Sequence, residues 1–330
     1  MSKLVTIYGG SGFVGRYIVQ RMAQAGWRVR VAVRRPNEAL FVKTYGAVGQ
    51  VEPVLCNIRD SDSVRRALQG SDVAVNCVGI LNEIGRNTFG LVQYHGARHI
   101  AEACAEMGIS RLVQISAIGA DPKSKSVYAE TKGRAEEVVR AHCPDAVILR
   151  PSVVFGPEDQ FFNRFAAQAR FTPVLPVVGG ATRFQPVYVD DVARAAAMAA
   201  LGQAKPGIYE LGGPETRPFA DLIEEMLDVI RRPGVLVLNL PFFVGSAMGT
   251  FFDLVQSMTG GLFTNTMITR DQVRNLARDN VVSPGAMGFA ELGIEPVSVG
   301  AVLPEYLWRF RPGGQYSDIR ESAKNLKVQK

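Results

Sequence analysis

The regular alternation of short apolar runs with longer amphipathic segments is the feature that most constrains the fold of this chain. Apolar runs rich in β-branched residues occupy positions 4–8, 29–33, 51–55, 73–78, 111–115 and 146–150. Between them, apolar residues recur at helical spacing, as at Val14, Ile18 and Met22. Strands that alternate with helices in this way are typical of a doubly wound parallel α/β sheet with helices on both faces.

A glycine-rich loop joins the first predicted strand to the first predicted helix. In this context Gly9 permits a tight turn, Gly12 lets the backbone approach a pyrophosphate, and Gly15 lets the helix pack closely on the sheet. The helix N-terminus adds unpaired amides and a positive dipole for the phosphates. We therefore predict a Rossmann-type nucleotide-binding loop, with these cofactor-binding residues: Gly9, Ser11, Gly12, Phe13, Val14 and Gly15.

The residues that follow the next strands predict which nucleotide is bound. Arg34 and Arg35 follow the second strand, where an NAD site usually carries an acid and where an arginine suits a 2′-phosphate. We predict NADP(H) bound through Arg34; the alternative is a pair of solvated arginines. Two further pairs are expected to line the cofactor, one beside the adenine and one where the cofactor passes close to the backbone: Asn57 with Ile58, and Val78 with Gly79.

The alternating pattern ends near Pro151, beyond which proline and glycine become frequent. Residues 1–155 are predicted to form the NAD(P)-binding domain, and residues from about 186 to 213 to return to it as a strand, a helix and a strand. Asp190 and Asp191 are interpreted as the cap of that helix rather than as a paired-carboxylate site. The remainder of residues 156–330 is predicted to form a smaller C-terminal lobe that ends in a basic tail.

A tyrosine and a lysine four residues apart indicate proton-transfer chemistry. Tyr128 and Lys132 share one face of a predicted helix, and a lysine cation beside a phenol favours the phenolate near neutral pH. Ser116, at the end of the fifth strand, is expected to hold the substrate oxygen. We predict these three residues to be catalytic; for Tyr128 and Lys132 the alternative is an ordinary surface pair on a helix.

Together these motifs resemble the short-chain dehydrogenase/reductase superfamily, in its extended or atypical branch. The glycine loop, Ser116, Tyr128 and Lys132 match its cofactor and catalytic positions, and residues 150–152 resemble the segment that lies under the nicotinamide. In that superfamily the tyrosine and the lysine also contact the nicotinamide ribose. The resemblance therefore implies that Tyr128, Lys132 and Pro151 belong to the cofactor-binding set.

A narrower resemblance covers nearly the whole chain. Residues 115–121, 149–159, 184–193 and 209–214 resemble the nucleotide-binding accessory subunit of respiratory complex I and its bacterial relatives. That family is understood to hold NADPH as a structural cofactor on the peripheral arm. Asn57 departs from the pattern, since many relatives carry an aspartate near the adenine.

The net charge of +6 is small and is concentrated at one end of the chain. Residues 309–330 contain six basic and two acidic residues, so the rest of the chain is nearly neutral. We predict no nucleic-acid partner. The basic tail suits an anionic membrane or an acidic neighbour, although a solvated tail is the simpler alternative.

Four cysteines without metal-type spacing are expected to be buried free thiols in a reducing compartment. His95 and His99 are expected to be ordinary helix-packing residues, and no metal site is predicted. The sequence opens directly on a strand and has no stretch of ~18 apolar residues, so neither a signal peptide nor a spanning helix is expected. The expected location is the cytoplasm, at the inner face of the cytoplasmic membrane, or the matrix side of the inner membrane in a mitochondrion.

Residues 241–258 are dominated by apolar side chains, and Asp253 carries the only charge among them. Such a helix is buried either in its own lobe or against a partner or a bilayer surface, and both alternatives stay open.

Two function classes follow from these observations. One is an NADPH-binding accessory or assembly subunit of NADH:quinone oxidoreductase, bound to the peripheral arm of complex I or to another membrane-adjacent protein, and in contact with the membrane surface. The other is an active NADP(H)-dependent reductase or epimerase that acts on a carbonyl or nucleotide-sugar substrate through Ser116, Tyr128 and Lys132. A sensor of the NADPH/NADP ratio is a third, weaker alternative. The apolar segment and the basic tail favour the first class.

Overall fold

A seven-stranded parallel sheet forms the centre of the protein. The structure is a computed structural model that describes residues 3–258, 269–316 and 322. In chain order the strands are β1 (Leu4–Tyr8), β2 (Arg28–Val33), β3 (Val51–Leu55), β4 (Val73–Asn76), β5 (Leu112–Ile115), β6 (Val147–Pro151), β7 (Val154–Phe155), β8 (Val174–Val178), β9 (Arg183–Phe184), β10 (Val187–Tyr188), β11 (Gly207–Leu211), β12 (Arg217–Pro218) and β13 (Leu236–Leu240). The large sheet has the order β11-β6-β5-β4-β1-β2-β3.

Helices connect these strands. The α-helices are α1 (Phe13–Gln24), α2 (Ser61–Leu68), α3 (His95–Glu106), α4 (Val127–His142), α5 (Phe162–Ala169), α6 (Val189–Ala200), α7 (Phe219–Val229), α8 (Phe242–Met258), α9 (Arg270–Leu276) and α10 (Val299–Leu307). A ten-residue 3₁₀ segment spans Pro36–Tyr45, three short 3₁₀ turns span Ala290–Leu292, Trp308–Phe310 and Gly314–Tyr316, and a π-helical turn spans Gly90–Tyr94.

The strand order changes direction between β1 and β4, which lie side by side although β2 and β3 come between them in the chain. Ligands of open α/β sheets bind at such a switch point, outside the carboxyl ends of the strands. The glycine loop follows β1 and therefore lies at this point. The predicted doubly wound, Rossmann-type sheet is confirmed.

The two faces of the sheet are buried by different helices. On β6, Val147 and Leu149 belong to one apolar cluster, whereas Ile148 between them belongs to another. The first cluster contains α1 and α6, and the second contains α2, α3 and α4. Because successive strand residues point to opposite faces, this division places a helical layer on each side of the sheet.

A third apolar cluster forms the core of the smaller lobe. It joins α5, α7 and α10 around aromatic side chains such as Phe155, Phe162 and Phe219. A separate pair of parallel strands, β8 and β13, extends this lobe. The helix α8 begins two residues after β13.

The segment from residue 187 onward differs in two details from the sequence-based prediction. Strand β11 joins the large sheet beside β6, but β10 pairs with β7 outside it. The residue that caps α6 is Tyr188, so the prediction that the aspartates cap this helix is wrong. Asp190 instead pairs with Arg21 of α1 at 2.6 Å, and Asp191 accepts a hydrogen bond from the backbone amide of Val297 at 2.8 Å. These carboxylates join α6 to distant parts of the chain.

The four cysteines are free, and Cys56, Cys104 and Cys143 are buried while Cys77 is half-buried. Among the described residues, no helix combines the length and the apolar character that crossing a bilayer requires.

Candidate nucleotide-binding site

The glycine loop has the tight geometry that a phosphate cradle requires. Gly9 has φ +75°, a left-handed conformation that favours glycine, and its carbonyl accepts a hydrogen bond from the Gly12 amide at 2.9 Å. A Cβ on Gly15 would lie 2.4 Å from the Gly9 carbonyl oxygen, so only glycine lets α1 approach the loop this closely. Gly12 caps α1, and the first helical residues are Phe13 and Val14. Their amides precede the first intrahelical hydrogen bond, from Arg16 to Gly12, and are available to an anion at the end of β1.

Arg16 is a cation beside this loop that the sequence analysis did not single out. Its guanidinium donates to the carbonyls of Ser11 and Gly12, both at 3.3 Å, and pairs with Glu158 at 3.2 Å. It also lies 5.0 Å from the ring centroid of Phe41. The sequence did offer a signal for this cation, because Arg16 directly follows Gly15 of the glycine loop.

The two arginines that follow β2 are in different situations. Arg35 pairs with Glu38 at 3.0 Å, three residues away. Arg34 is exposed and has no hydrogen-bond or ion-pair partner among the described residues. Its guanidinium is therefore available to a ligand at the carboxyl end of β2.

Asn57 and Ile58, which follow β3, offer less side-chain surface to an adenine than the sequence analysis expects. The side-chain oxygen of Asn57 accepts hydrogen bonds from the backbone amide and the Nε of Arg59, at 3.2 and 3.3 Å. The side chain of Ile58 is buried against α3, where a Cβ on Gly96 would lie only 2.8 Å from Ile58 Cγ1. Ile58 thus anchors the loop after β3 to α3, while Asn57 stabilises the conformation of that loop through Arg59.

The end of β4 meets α4. The amide of Val78 donates to the side-chain oxygen of Asn76 at 3.0 Å. Gly79 follows it, and a Cβ on this glycine would lie 3.6 Å from the Nζ of Lys132. The predicted backbone passage at Val78 and Gly79 is therefore adjacent to the predicted catalytic lysine.

Lys132 and Tyr128 are on one face of α4, but burial controls their titration. The Nζ of Lys132 is buried and donates to the carbonyl of Ile115 at 3.1 Å. Burial lowers the pKa of Lys132 to about 8, against the opposing influence of Glu136. Burial also raises the pKa of Tyr128 to about 12, and its ring packs edge-on against Phe89 with the centroids 5.8 Å apart. Desolvation therefore opposes the phenolate that the sequence analysis expects, and the catalytic role of Tyr128 and Lys132 stays a prediction.

Ser116 is bound by a carboxylate that the sequence analysis missed. Its hydroxyl donates a short hydrogen bond to Oε1 of Glu136 on α4. Arg150, at the end of β6, binds the same carboxylate through Nε at 3.0 Å and Nη2 at 2.6 Å, and reaches Glu210 at 3.3 Å. Glu136 is 2% exposed and Glu210 is also buried, so one partly buried guanidinium joins two buried carboxylates in a charge cluster. Its spacing was a usable signal, since Glu136 follows Lys132 by one further helical turn.

Pro151 ends β6 beside this cluster, and its carbonyl accepts a hydrogen bond from the Ile118 amide at 3.0 Å. The ends of β4, β5 and β6 thus bring Gly79, Lys132, Ser116 and Pro151 to one side of the glycine loop. Arg34 and Asn57 lie on the other side, at the ends of β2 and β3.

The two predicted packing histidines lie on α3. The Nδ1 of His99 lies 3.1 Å from the Ile58 carbonyl oxygen, and the ring of His95 packs against Tyr94. Within the described part of the chain, no three His, Cys, Asp or Glu side chains are grouped as a metal site requires.

Comparison with known proteins identifies the family. The sequence model of the NAD dependent epimerase/dehydratase family matches residues 5–212, which include the glycine loop, Tyr128, Lys132 and β11. The chain belongs to this family. As a member of the NAD dependent epimerase/dehydratase family it has a nucleotide-binding Rossmann fold, and the predicted resemblance to extended short-chain dehydrogenases is confirmed.

Two curated relatives differ in what their names describe. NADH dehydrogenase (ubiquinone) 1 alpha subcomplex subunit 9, mitochondrial, from Arabidopsis thaliana is 35% identical over 318 residues, covering 94% of this chain and 79% of the relative. The chain therefore also belongs to the family of this complex I subunit. Ceramide reductase from Caulobacter vibrioides is 35% identical over 191 residues, which cover 58% of each chain.

A solved structure shows the same fold. The dTDP-glucose 4,6-dehydratase from Streptomyces venezuelae, crystallised with NAD and TYD, superposes with a TM-score of 0.70 at 20% identity and covers 96% of this chain and 98% of that chain. This likeness extends through the smaller lobe.

Proposed function

We propose that this protein is an NADP(H)-binding accessory or assembly subunit of NADH:quinone oxidoreductase, in which the nucleotide has a structural role. The observation that carries this proposal is the state of the predicted catalytic groups. The Ser116 hydroxyl donates a hydrogen bond to Glu136, and desolvation raises the pKa of the half-buried Tyr128 phenol. A general acid–base works best with a pKa near the working pH, so both observations favour a structural role over proton transfer by these two groups. The likeness to the complex I subunit supports the same conclusion.

Arg34 supports NADP(H) as the nucleotide. It is the arginine after β2 without a partner in the described part of the chain, whereas Arg35 is paired with Glu38. An arginine at this place binds a 2′-phosphate through charge-assisted hydrogen bonds and would gain nothing comparable from a 2′-hydroxyl. When bound, the nucleotide would be held by the loop amides, by Arg34, and by Tyr128 and Lys132 on α4.

Helix α8 supports attachment to a partner. Its two glycines face the protein: a Cβ on Gly245 would lie 2.6 Å from Val178 Cγ1, and one on Gly249 would lie 2.7 Å from the Arg270 amide nitrogen. Phe243 and Phe251 face outward and are 75% and 60% exposed. A helix buried throughout in its own lobe does not leave two phenylalanines exposed, so we favour the partner alternative for residues 241–258.

Two basic residues of the tail are bound within the protein. Arg309 donates to the side-chain oxygen of Asn163 at 2.6 Å, and Arg311 donates to the carbonyl of Val229 at 2.8 Å. The tail's other four basic residues lie outside the described residues. We propose that α8 contacts a membrane-adjacent partner on the peripheral arm of complex I. This would place the protein in the cytoplasm at the inner face of the membrane, or on the matrix side in a mitochondrion.

Copurification tests this proposal. The full chain, carrying an affinity tag, is isolated from membranes solubilised with a mild detergent, and the bound proteins are identified. We expect subunits of the quinone-reducing complex to be recovered in fixed proportion to the tagged chain. Recovery of the tagged chain alone, with all of the quinone reductase in another fraction, would contradict the proposal.

The likeness to ceramide reductase favours a second candidate, an active NADP(H)-dependent reductase or epimerase. The three superfamily positions are all retained as Ser116, Tyr128 and Lys132. Purified protein is incubated with NADPH and a panel of carbonyl compounds, nucleotide sugars and ceramide-related substrates. Nucleotide oxidation that disappears in Tyr128→Phe would establish this candidate and reject the structural role.

A further inference from the structure

Three consecutive residues of the smaller lobe, Arg270, Asp271 and Gln272, each bind a different part of the molecule. They form the first turn of α9, which begins after Thr269. Thr269 and Gln272 form reciprocal hydrogen bonds, so the three residues are held in one fixed turn.

Asp271 binds the start of α4, the helix that carries Tyr128. Its Oδ1 accepts a hydrogen bond from the Val127 amide at 2.9 Å. Its Oδ2 accepts from the Ser126 hydroxyl at 2.8 Å and from the Tyr128 amide at 3.2 Å. A carboxylate at a helix N-terminus is stabilised by the unpaired amides and by the helix dipole. A side chain about 140 positions away in sequence thus fixes the backbone of Tyr128.

Gln272 binds the other side of the nucleotide site. Its Nε2 donates to the side-chain oxygen of Asn82 at 3.0 Å. Asn82 lies in the loop that follows Gly79, and the neighbouring Glu83 accepts a hydrogen bond from the Phe89 amide at 2.6 Å. The ring of Phe89 packs on Tyr128. α9 therefore bridges the loop after β4 and the start of α4.

Arg270 binds α8. Its amide donates to Oδ2 of Asp253 at 3.1 Å, and Gly249 approaches the same nitrogen so closely that a Cβ would lie 2.7 Å from it. α9 thus touches both the nucleotide site and the helix that exposes Phe243 and Phe251. The first turn of α9 therefore links the nucleotide site to α8 through direct contacts.

We propose that α9 couples nucleotide binding to the attachment surface on α8, with Asp271 as the positioning residue. This inference rests on the proposed nucleotide-binding function. A nucleotide that fixes α4 and the loop after β4 also fixes Asp271 and Gln272, and through Arg270 it fixes α8 in the orientation that presents its phenylalanines. By linkage, a partner bound to α8 strengthens nucleotide binding by the same factor. The nucleotide thereby regulates attachment without undergoing chemistry.

Hydrogen exchange of the full chain tests the coupling without any variant. Exchange of the amides of residues 242–258 is followed by mass spectrometry with and without saturating NADPH. We expect NADPH to slow this exchange by about fivefold or more, the lower range of typical coupling between sites. Unchanged exchange of α8 at full nucleotide saturation would overturn the coupling.

Asp271→Asn separates positioning from simple packing. The amide has the size of the carboxylate but only one oxygen, so part of the set of three donors at the start of α4 loses its acceptor. We expect NADPH to bind about fivefold more weakly and to stop protecting residues 242–258 even at saturation. The matched control is Asp221→Asn, on an exposed turn of α7 in the same lobe, which should behave as wild type. If NADPH slowed the exchange of residues 242–258 in Asp271→Asn as much as in wild type, the positioning role of Asp271 would be overturned.

The outcomes also separate this inference from the proposed function. If wild type binds no NADP(H), the proposed nucleotide site fails and the coupling fails with it. If NADPH binds tightly but α8 does not respond, only the coupling fails.

Discussion

Glu136 is buried, accepts a hydrogen bond from Ser116 and is bound through two nitrogens by Arg150. This cluster ties α4 to the ends of β5 and β6. It fixes the helix that carries Tyr128 and Lys132, and it occupies the hydroxyl that a substrate oxygen would require. The proposed structural role of the site rests on this relationship more directly than on any single motif.

Removing the charge of Glu136 should therefore destabilise the fold. Glu136→Gln removes the carboxylate that binds two nitrogens of Arg150 and leaves Glu210 as its partner. Losing hydrogen bonds to a charged group costs about 1.5–3 kcal/mol of unfolding free energy. The matched control is Glu130→Gln on the exposed side of the same helix, where the pair with Arg134 spans 3.4 Å and contributes about 0–1 kcal/mol. Urea unfolding measures both, and equal small losses would contradict the importance of the cluster.

Lys132 should give the stability a distinctive pH dependence. Its pKa is lowered from 10.5 to about 8 by burial, so between these values the unfolded chain holds a proton that the folded chain has released. Raising the pH through this window therefore favours the folded state. We expect the unfolding free energy of wild type, relative to Lys132→Met, to rise from pH 8 to pH 10. A difference that stays flat or falls would show that the lysine is not desolvated.

Arg34 and Arg35 offer a matched test of nucleotide preference. Arg34→Ala should weaken the binding of NADPH about tenfold or more, since a hydrogen bond to a charged group contributes about 1.5–3 kcal/mol. The affinity for NADH should stay almost unchanged. Arg35→Ala should change neither affinity, because its partner is Glu38. Titration calorimetry measures all four values. If Arg34→Ala lost the same affinity for NADPH and for NADH, the assignment of Arg34 to the 2′-phosphate would be contradicted.

The exposed phenylalanines of α8 should govern attachment. Phe243→Ser combined with Phe251→Ser removes two aromatic contacts, each contributing about 1.5–3 kcal/mol if fully buried by the partner. The variant should leave the membrane fraction. Phe171→Ser, at a side chain that is 82% exposed elsewhere in the lobe, should stay attached. High salt should weaken attachment only in part, because apolar burial is not screened.

In that experiment the fraction of protein on sedimented membranes is compared with circular dichroism and NADPH affinity for each variant. Because α9 couples α8 to the nucleotide site, a modest loss of affinity is compatible with the account. A double variant that is folded and still fully attached would contradict the role of α8.

The fold followed from local sequence patterns because each strand and helix carries its own period. The glycine loop was predictable for the same reason: Gly9 and Gly15 are required by the geometry of one short segment. The environment of the Tyr128 ring was not predictable, because it depends on neighbours such as Phe89 that the chain supplies from a distance. Contacts that join remote segments, such as Asp271 with Val127 or Asp190 with Arg21, leave no periodic signal.

The central claim is that the nucleotide has a structural role in a quinone-reducing complex, and respiratory activity tests it most directly. NADH-to-quinone electron transfer is measured in membranes from cells whose only copy of this chain carries Tyr128→Phe or Gly12→Val. Tyr128→Phe removes the phenolic proton and keeps the ring, whereas Gly12→Val places a side chain where the pyrophosphate approaches. The account predicts wild-type activity with Tyr128→Phe and a marked loss with Gly12→Val. Full activity with Gly12→Val, or an equal loss with Tyr128→Phe, would contradict it.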